Sequence, residues 1–232
     1  MTIGEKASRE AVKHVSVLSS CRGRGNSSNV RSRRSVATGP RANDAWCSDC
    51  CAGFWPIKSK TERDGKMDIP RQVVSFLTLR SLKLATAESC TAGLIASLIS
   101  SVPGSGACLD VGFITYSPSG KAGFLGVKEA TMNEHGLTSE EVAKEMAEGA
   151  LRLEACCADV CISNTGVADG NAGDDPAPGT QCFGWALKLR DGKIVSVTET
   201  KIFDGERNDV RRAAALYALS RIEHHFNSIP KG

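Results

Sequence analysis

Leu84-Ala85-Thr86-Ala87-Glu88-Ser89-Cys90-Thr91-Ala92-Gly93 passes from a short apolar strand into a helix with no linker between them. Residues 84–87 are small and apolar, as in a strand buried on both faces. From Thr91 to Ser101 the apolar positions Ala92, Leu94, Ile95, Ala96, Leu98 and Ile99 fit a helix, and Val102-Pro103-Gly104-Ser105-Gly106 breaks it. A strand feeding a helix in this way is the building unit of an α/β domain. It leaves Ser89 above the carboxyl end of the strand, beside helix N–H groups that lack intrahelical partners.

Working outward, residues 68–81 read as an amphipathic helix entered through Pro70, with Ile69, Val73, Val74, Phe76, Leu77 and Leu79 as its apolar positions. Cys108 to Tyr116 is β-rich. Residues 119–134 predict one or two short helices around Gly126. Thr138-Ser139-Glu140-Glu141 reads as a capping box, with Thr138 as cap, opening a helix to about Ala155. Asp159 to Ser163 is a second buried strand, and a Gly/Asp/Pro-rich loop covers 166–179. Phe183–Leu189 and Ile194–Ile202 alternate as antiparallel neighbours, and Asp209–Phe226 reads as one long helix. The expected architecture is α/β: a single layered α/β/α domain with a mixed sheet over residues 67–232.

Residues 1–66 have a different character. They hold 13 of the 29 Lys and Arg residues and 6 of the 26 Asp and Glu, a net of +7, against −4 for the remainder. Stretches such as Cys21-Arg22-Gly23-Arg24-Gly25-Asn26 are too polar to bury a core, so this head is expected to be disordered or not native, with Met67 as the start of the domain. Its Arg/Ser-rich composition also has features of a transit peptide, against which stand Glu5, Glu10, Asp44 and Asp49. Cys47-x-x-Cys50-Cys51 is half of a zinc spacing without a second pair, so no metal is expected. The mildly acidic body argues against nucleic acid as a partner, and no apolar run is long enough for a membrane span. The chain is expected to be cytoplasmic, its ten cysteines serving as reduced, mostly buried residues.

A serine at such a turn can attack a carbonyl while backbone N–H groups hold the oxyanion. The same spacing also describes a helix simply capped by Ser89 or Thr91. The histidines His14, His135, His224 and His225 offer no setting for a Ser-His-Asp triad. Lys121, five residues beyond Tyr116, is the better base if partly desolvated, although a solvated surface lysine fits the spacing too. The loop Asn164-Thr165-Gly166-Val167-Ala168-Asp169-Gly170, continuing to Pro178-Gly179-Thr180, has the composition of a phosphate or ribose cradle and equally that of ordinary turns. Arg207, Arg211 and Arg212 begin the last helix, where arginine clamps phosphate or merely faces solvent.

Together these segments resemble the CinA C-terminal domain family, the nicotinamide-nucleotide amidohydrolases of the PncC type. The resemblance runs from about Met67 to Phe226. It is carried by Ala87-Glu88-Ser89-Cys90-Thr91-Ala92-Gly93, Val102-Pro103-Gly104-Ser105, Thr115-Tyr116-Ser117 with Lys121, Leu125-Gly126-Val127, and Ser139-Glu140-Glu141-Val142-Ala143. Glu145-Met146-Ala147-Glu148-Gly149-Ala150, Thr165-Gly166-Val167-Ala168, Pro178-Gly179-Thr180 and Phe203 through Arg212 complete it. The resemblance implies hydrolysis of the carboxamide of nicotinamide mononucleotide to nicotinate mononucleotide and ammonia, a step of NAD salvage without cofactor or metal. It implies a catalytic set of Ser89, Lys121 and Tyr116. Glu88, Cys90, Thr91, Thr165, Gly166, Gly179, Thr180, Arg207 and Arg211 are the expected substrate contacts.

The chain departs from the family at three places. Ala92 stands for the usual first glycine, and Pro118 follows Tyr116-Ser117 where asparagine is usual. The substrate loop has become Ala168-Asp169-Gly170-Asn171-Ala172-Gly173, in which Asp169, facing a pocket, would repel a phosphate. Two rival readings follow: a non-catalytic nucleotide-binding paralogue, or an amidase for another small amide. The partner in each is a small molecule, a pyridine nucleotide in the leading reading, and domains of this kind often self-associate into homo-oligomers.

Overall fold

A computed structural model describes residues 68–171, 173 and 175–229. The expectations placed on residues 1–66, the Cys47–Cys51 spacing among them, lie outside the described residues. Helix α1 (Ile69–Leu79) starts at Asp68, whose carboxylate accepts the Arg71 N–H at 3.1 Å, with Pro70 in the first turn. Strand β1 (Leu84–Glu88) follows, then α2 (Leu94–Ser100) and β2 (Leu109–Ile114). Three helices come next: α3 (Pro118–Leu125), α4 (Glu129–His135) and α5 (Glu140–Arg152). The chain continues through β3 (Val160–Gly166), β4 (Thr180–Lys188), β5 (Ile194–Ile202), α6 (Arg207–Ser220) and α7 (Ile222–Ser228).

The five strands form one sheet in the order β2-β1-β3-β4-β5. β1 runs parallel to β2 and β3, while β4 is antiparallel to both β3 and β5. The sheet is therefore mixed, as the sequence pattern predicts. α1, α2, α6 and α7 cover one face and α3, α4 and α5 the other.

The two faces differ in side-chain size. Leu84, Val160, Ile162, Phe183, Trp185 and Leu187 point toward α1, α2 and α6. Ala85, Ala87, Cys161 and Ala186 point toward α5. Small residues on that face let α5 approach the strands closely. Ser163 Oγ donates to the Ala143 carbonyl, and a Cβ placed on Gly184 would lie 2.8 Å from the same oxygen.

Several boundaries differ from expectation, β3 and β4 extending to Gly166 and back to Thr180 among them. α2 begins at Leu94 rather than Thr91, because Ala92 (φ 49°) and Gly93 (φ 92°) are left-handed. The cap of α5 is Ser139, not Thr138: its hydroxyl accepts the Val142 N–H at 3.3 Å, and the helix ends at Arg152, before Ala155. The last helix is two, α6 and α7, meeting at Arg221. No helix among the described residues is long and apolar enough to cross a membrane.

This topology gathers loops at one end of the sheet. The β1 to β2 connection goes to one side of β1, and the β2 to β3 connection crosses back to the other, which makes a switch point at the carboxyl ends of the parallel strands. The chain leaves β1 at Ser89, β2 at Thr115, β3 at Val167 and β5 at Phe203, all at that end.

Gly184→Ala is expected to destabilise the protein by about 1–3 kcal/mol through overpacking against α5, a fall in Tm of about 3–10 °C. Gly123→Ala, in open space on α3, should instead hold or raise Tm. Thermal melts of both variants check this, and equal behaviour would count against close α5 packing.

Candidate active site

The turn after β1 is tied down from several directions. The Ser89 N–H donates to the Asn164 carbonyl at 2.9 Å, and the Ala92 N–H to the Ser89 carbonyl at 3.0 Å. Glu88 is fully buried. Its carboxylate accepts the N–H groups of Gly93 at 2.8 Å, Ile95 at 3.1 Å and Ala96 at 2.9 Å. A carboxylate there satisfies the orphan donors of α2 and complements the helix dipole. Glu88, an expected substrate contact, therefore has both carboxylate oxygens engaged inside the protein, and the N–H groups at the start of α2 are taken up by Glu88 and, at Leu94, by the Thr91 carbonyl. The Cys90 N–H, next in the chain to Ser89, makes no hydrogen bond among the described residues.

Lys121, on the second turn of α3, is 1% exposed. Long helical side chains lean toward the helix N-terminus, and Lys121 thereby reaches back over the end of β2. Its Nζ lies 2.8 Å from Ser89 Oγ, 3.0 Å from the Thr115 carbonyl oxygen and 3.2 Å from the Tyr116 carbonyl oxygen. No carboxylate contacts it among the described residues. Burial disfavours the ammonium and lowers the Lys121 pKa to about 8, against a smaller opposing influence of Cys90. A neutral amine in this position donates its two hydrogens to the two carbonyls and presents its lone pair to the Ser89 hydroxyl. The Cys90 thiol is pushed up, mainly by burial, so it stays protonated beside the serine at neutral pH.

Two residues that carry this turn were not singled out from the sequence. Asn164 and Gln181 are both fully buried. Asn164 Oδ1 accepts the Thr91 N–H at 3.0 Å, and its Nδ2 donates to Gln181 Oε1 at 3.0 Å. Gln181 Nε2 donates to the Val167 carbonyl at 3.1 Å and contacts Cys90 Sγ at 3.4 Å. The signal in the sequence for Asn164 is a polar side chain closing an apolar strand, Val160-Cys161-Ile162-Ser163-Asn164.

Several expected substrate contacts turn out to be braces. Arg211 donates to the carbonyls of Cys90 at 2.9 Å and Thr91 at 3.1 Å, and to Asn208 at 3.1 Å. Thr91 is fully buried. Thr165 Oγ1 donates to the Leu137 carbonyl at 2.7 Å. Gly166 lies against the Gln181 side chain, leaving no room for a Cβ. Gly179, at φ 85°, sits against the Phe203 carbonyl, and the Thr180 carbonyl accepts the Val167 N–H at 2.9 Å. The Arg211 guanidinium and the Thr165 hydroxyl are thus engaged within the protein, as are the Thr91 N–H and carbonyl, while the buried Thr91 hydroxyl has no hydrogen-bond partner among the described residues. Gly166, Gly179 and Thr180 shape the loop through their backbone.

Two of the sequence candidates are accessible at the mouth. Tyr116 is 56% exposed. Its carbonyl faces Lys121, but its hydroxyl accepts a hydrogen bond from Arg207 Nη2 at 2.8 Å. The structure brings Ser89 and Lys121 together and leaves the Tyr116 phenol with Arg207. Arg207 Nη1 also pairs with Asp169 at 2.6 Å. Ala168, the neighbour of Asp169, packs in an apolar cluster with Cys90 and Val210.

Comparison with known proteins places this geometry in context. The profile of the CinA C-terminal domain matches residues 66–226. The nicotinamide-nucleotide amidohydrolase PncC of Escherichia coli K12 is 40% identical over 161 residues, covering 69% of this chain and 94% of that protein. A CinA-like protein of Chlorobaculum tepidum is 44% identical over 151 residues, 63% of this chain and 35% of the relative. Among solved structures, the competence damage-inducible protein A of Klebsiella pneumoniae aligns with a TM-score of 0.62 at 31% identity. That alignment covers 70% of this chain and 97% of that one.

Ala92→Gly is expected to stabilise the protein by about 0.5–1 kcal/mol, since left-handed alanine costs about 1–2 kcal/mol and glycine's larger unfolded-state entropy returns part of it. Chemical denaturation measures this, and a destabilised variant would show that the turn needs the methyl group. The Lys121 shift has a signed consequence as well. A lysine pKa depressed by folding penalises stability below about pH 8, and the penalty fades as pH rises from about 8 toward 10.5. The Tm of the wild-type protein should therefore rise relative to Lys121→Met across that interval. A constant difference from pH 6 to 10.5 would mean the buried amine is not depressed.

Proposed function

The chain belongs to the CinA C-terminal domain family, and from that membership and the 2.8 Å contact between Lys121 Nζ and Ser89 Oγ we infer that it is a nicotinamide-nucleotide amidohydrolase. Its 40%-identical relatives are named nicotinamide-nucleotide amidohydrolases, and the reaction proposed for this chain is hydrolysis of the carboxamide of nicotinamide mononucleotide to nicotinate mononucleotide and ammonia. A cytoplasmic location and a small-molecule partner, with neither nucleic acid nor membrane, accompany this reading.

The proposed mechanism starts with neutral Lys121, which takes the Ser89 proton as the oxygen attacks the amide carbon. Carbonyl partners suit this role better than carboxylates, because they do not hold the amine in its charged form. The developing oxyanion is stabilised by the Cys90 N–H, the residue after the nucleophile being a common donor of this kind. The ammonium of Lys121 returns the proton to the departing nitrogen, and ammonia leaves an acyl-Ser89. A water, deprotonated by Lys121, then releases the acid and regenerates the serine. Tyr116 contributes its carbonyl to Lys121, and its phenol, beside Arg207, lines the path of the nucleotide. Arg207 is the cation placed to meet the substrate phosphate.

Ser89→Ala and Lys121→Ala should remain folded and lose ammonia release from nicotinamide mononucleotide by at least about 10²–10⁴-fold. In the wild-type enzyme kcat/KM should rise with pH through an apparent pKa near 8, the value at which Lys121 loses its proton. An ammonia-release assay with circular dichroism of each variant decides this. Undiminished turnover in either variant would reject the assigned roles.

A further inference from the structure

Arg207 is the cation at the mouth, and its fork is already occupied. Nη1 donates to Asp169 and Nη2 to the Tyr116 hydroxyl, at 2.6 and 2.8 Å. The three residues come from three segments: the loop after β3, the end of β2 and the first turn of α6. Tyr116 touches Lys121 directly through its carbonyl, and Ala168, the neighbour of Asp169, packs beside Cys90, the residue that follows Ser89. The Arg207 and Asp169 side chains are 46% and 61% exposed, so a solute reaches them. The neighbouring Arg211 cannot substitute, since its guanidinium is held by the Cys90 and Thr91 carbonyls.

We propose that Asp169 is a specificity-determining residue that weakens recognition of the substrate's phosphate by masking Arg207. The proposal rests on the pyridine-nucleotide reading of the site. Carboxylate and phosphate use the same donors of a guanidinium, so the two anions exclude one another. A phosphomonoester must displace Asp169 and then lie beside its charge, which is unfavourable. The corresponding nucleoside, with the same amide and no phosphate, meets neither obstacle. The contact is remote from the amide carbon, so Asp169 acts on binding and leaves the chemical step alone. The loop that departs from the family thus shifts the enzyme's preference toward unphosphorylated pyridine amides.

The test compares nicotinamide mononucleotide with nicotinamide riboside on the full-length wild-type, Asp169→Asn, Arg207→Gln and doubly substituted enzymes. Asp169→Asn should lower KM for the mononucleotide about five- to tenfold, a typical range for freeing one exposed ion pair and removing a like charge. Its kcat, and its KM for the riboside, should stay within about twofold. The gain should shrink at high salt, where exposed charges are screened. In the Arg207→Gln background Asp169→Asn should bring no such gain. An equal change in KM for both substrates, or a gain that persists without Arg207, overturns the proposal. Calorimetric binding of both compounds to Ser89→Ala protein, with and without Asp169→Asn, separates this inference from the reaction itself. Tighter binding of the mononucleotide alone supports the masking role even if no wild-type turnover is found. Turnover without any split between the two compounds retains the reaction and removes the role for Asp169.

Discussion

A lysine amine at 1% exposure needs polar neighbours, and here two of its three are main-chain carbonyls. Burial of a charge is expensive unless it is paired, and a carboxylate partner would have kept Lys121 protonated. Carbonyls satisfy the N–H groups of either protonation state, so desolvation prevails and the pKa falls to about 8. The placement is set by local structure. Ser117 caps α3 by accepting the Gly120 N–H at 3.0 Å, Pro118 opens the helix, and Lys121 lies just beyond its first turn. Its side chain folds back onto the Thr115 and Tyr116 carbonyls that β2 has just delivered. Everything else in the site is arranged around the point where that amine meets Ser89.

The serine side of the contact is held with comparable care. Ser89 lies between a strand end fixed by Asn164 and a helix start fixed by Glu88. Arg211 grips the turn from outside through two carbonyls. The charges of Glu88 and Arg211 are both engaged with backbone groups of one short segment, and neither faces the reacting atoms. Such preorganisation keeps the hydroxyl in place before substrate arrives. Its cost includes left-handed alanine at position 92.

The mouth of the site follows from topology. Because β1 lies between its two parallel neighbours, the loops after β1, β2 and β3 open at the same end, and antiparallel β4 lets β5 return there as well. Residues far apart in the chain therefore meet: Tyr116, Asp169 and Arg207 converge over the Ser89 turn. The Ser89–Lys121 contact belongs to the packed interior, while Tyr116, Asp169 and Arg207 are at the exposed mouth. Loops tolerate change where cores do not. Ser89 and Lys121 are thus held by packing, while Asp169 and Arg207 sit at an exposed edge.

Much of this was legible in the chain itself. Alternating and continuous apolar runs specified each strand and the mixed sheet, and the Pro70 and Gly126 signals placed α1 and the break between α3 and α4. The ordered motifs spread from Ala87 to Arg212 identified the family. Boundaries set by competition for backbone donors were less visible. Thr138 and Ser139 are both competent caps, and the structure uses Ser139. Nothing local showed that Glu88 would turn inward to α2, or that Arg211 would hold carbonyls instead of a ligand. A charged side chain written in sequence has no direction; its partners are chosen by which strand ends the topology brings together. The sequence by itself determined the family and the fold, and it named Ser89 and Lys121 as the pair to look for. Only the tertiary structure decided which polar groups are consumed within the protein and which remain for a substrate, because each donor and acceptor can be satisfied only by what lies within hydrogen-bond reach.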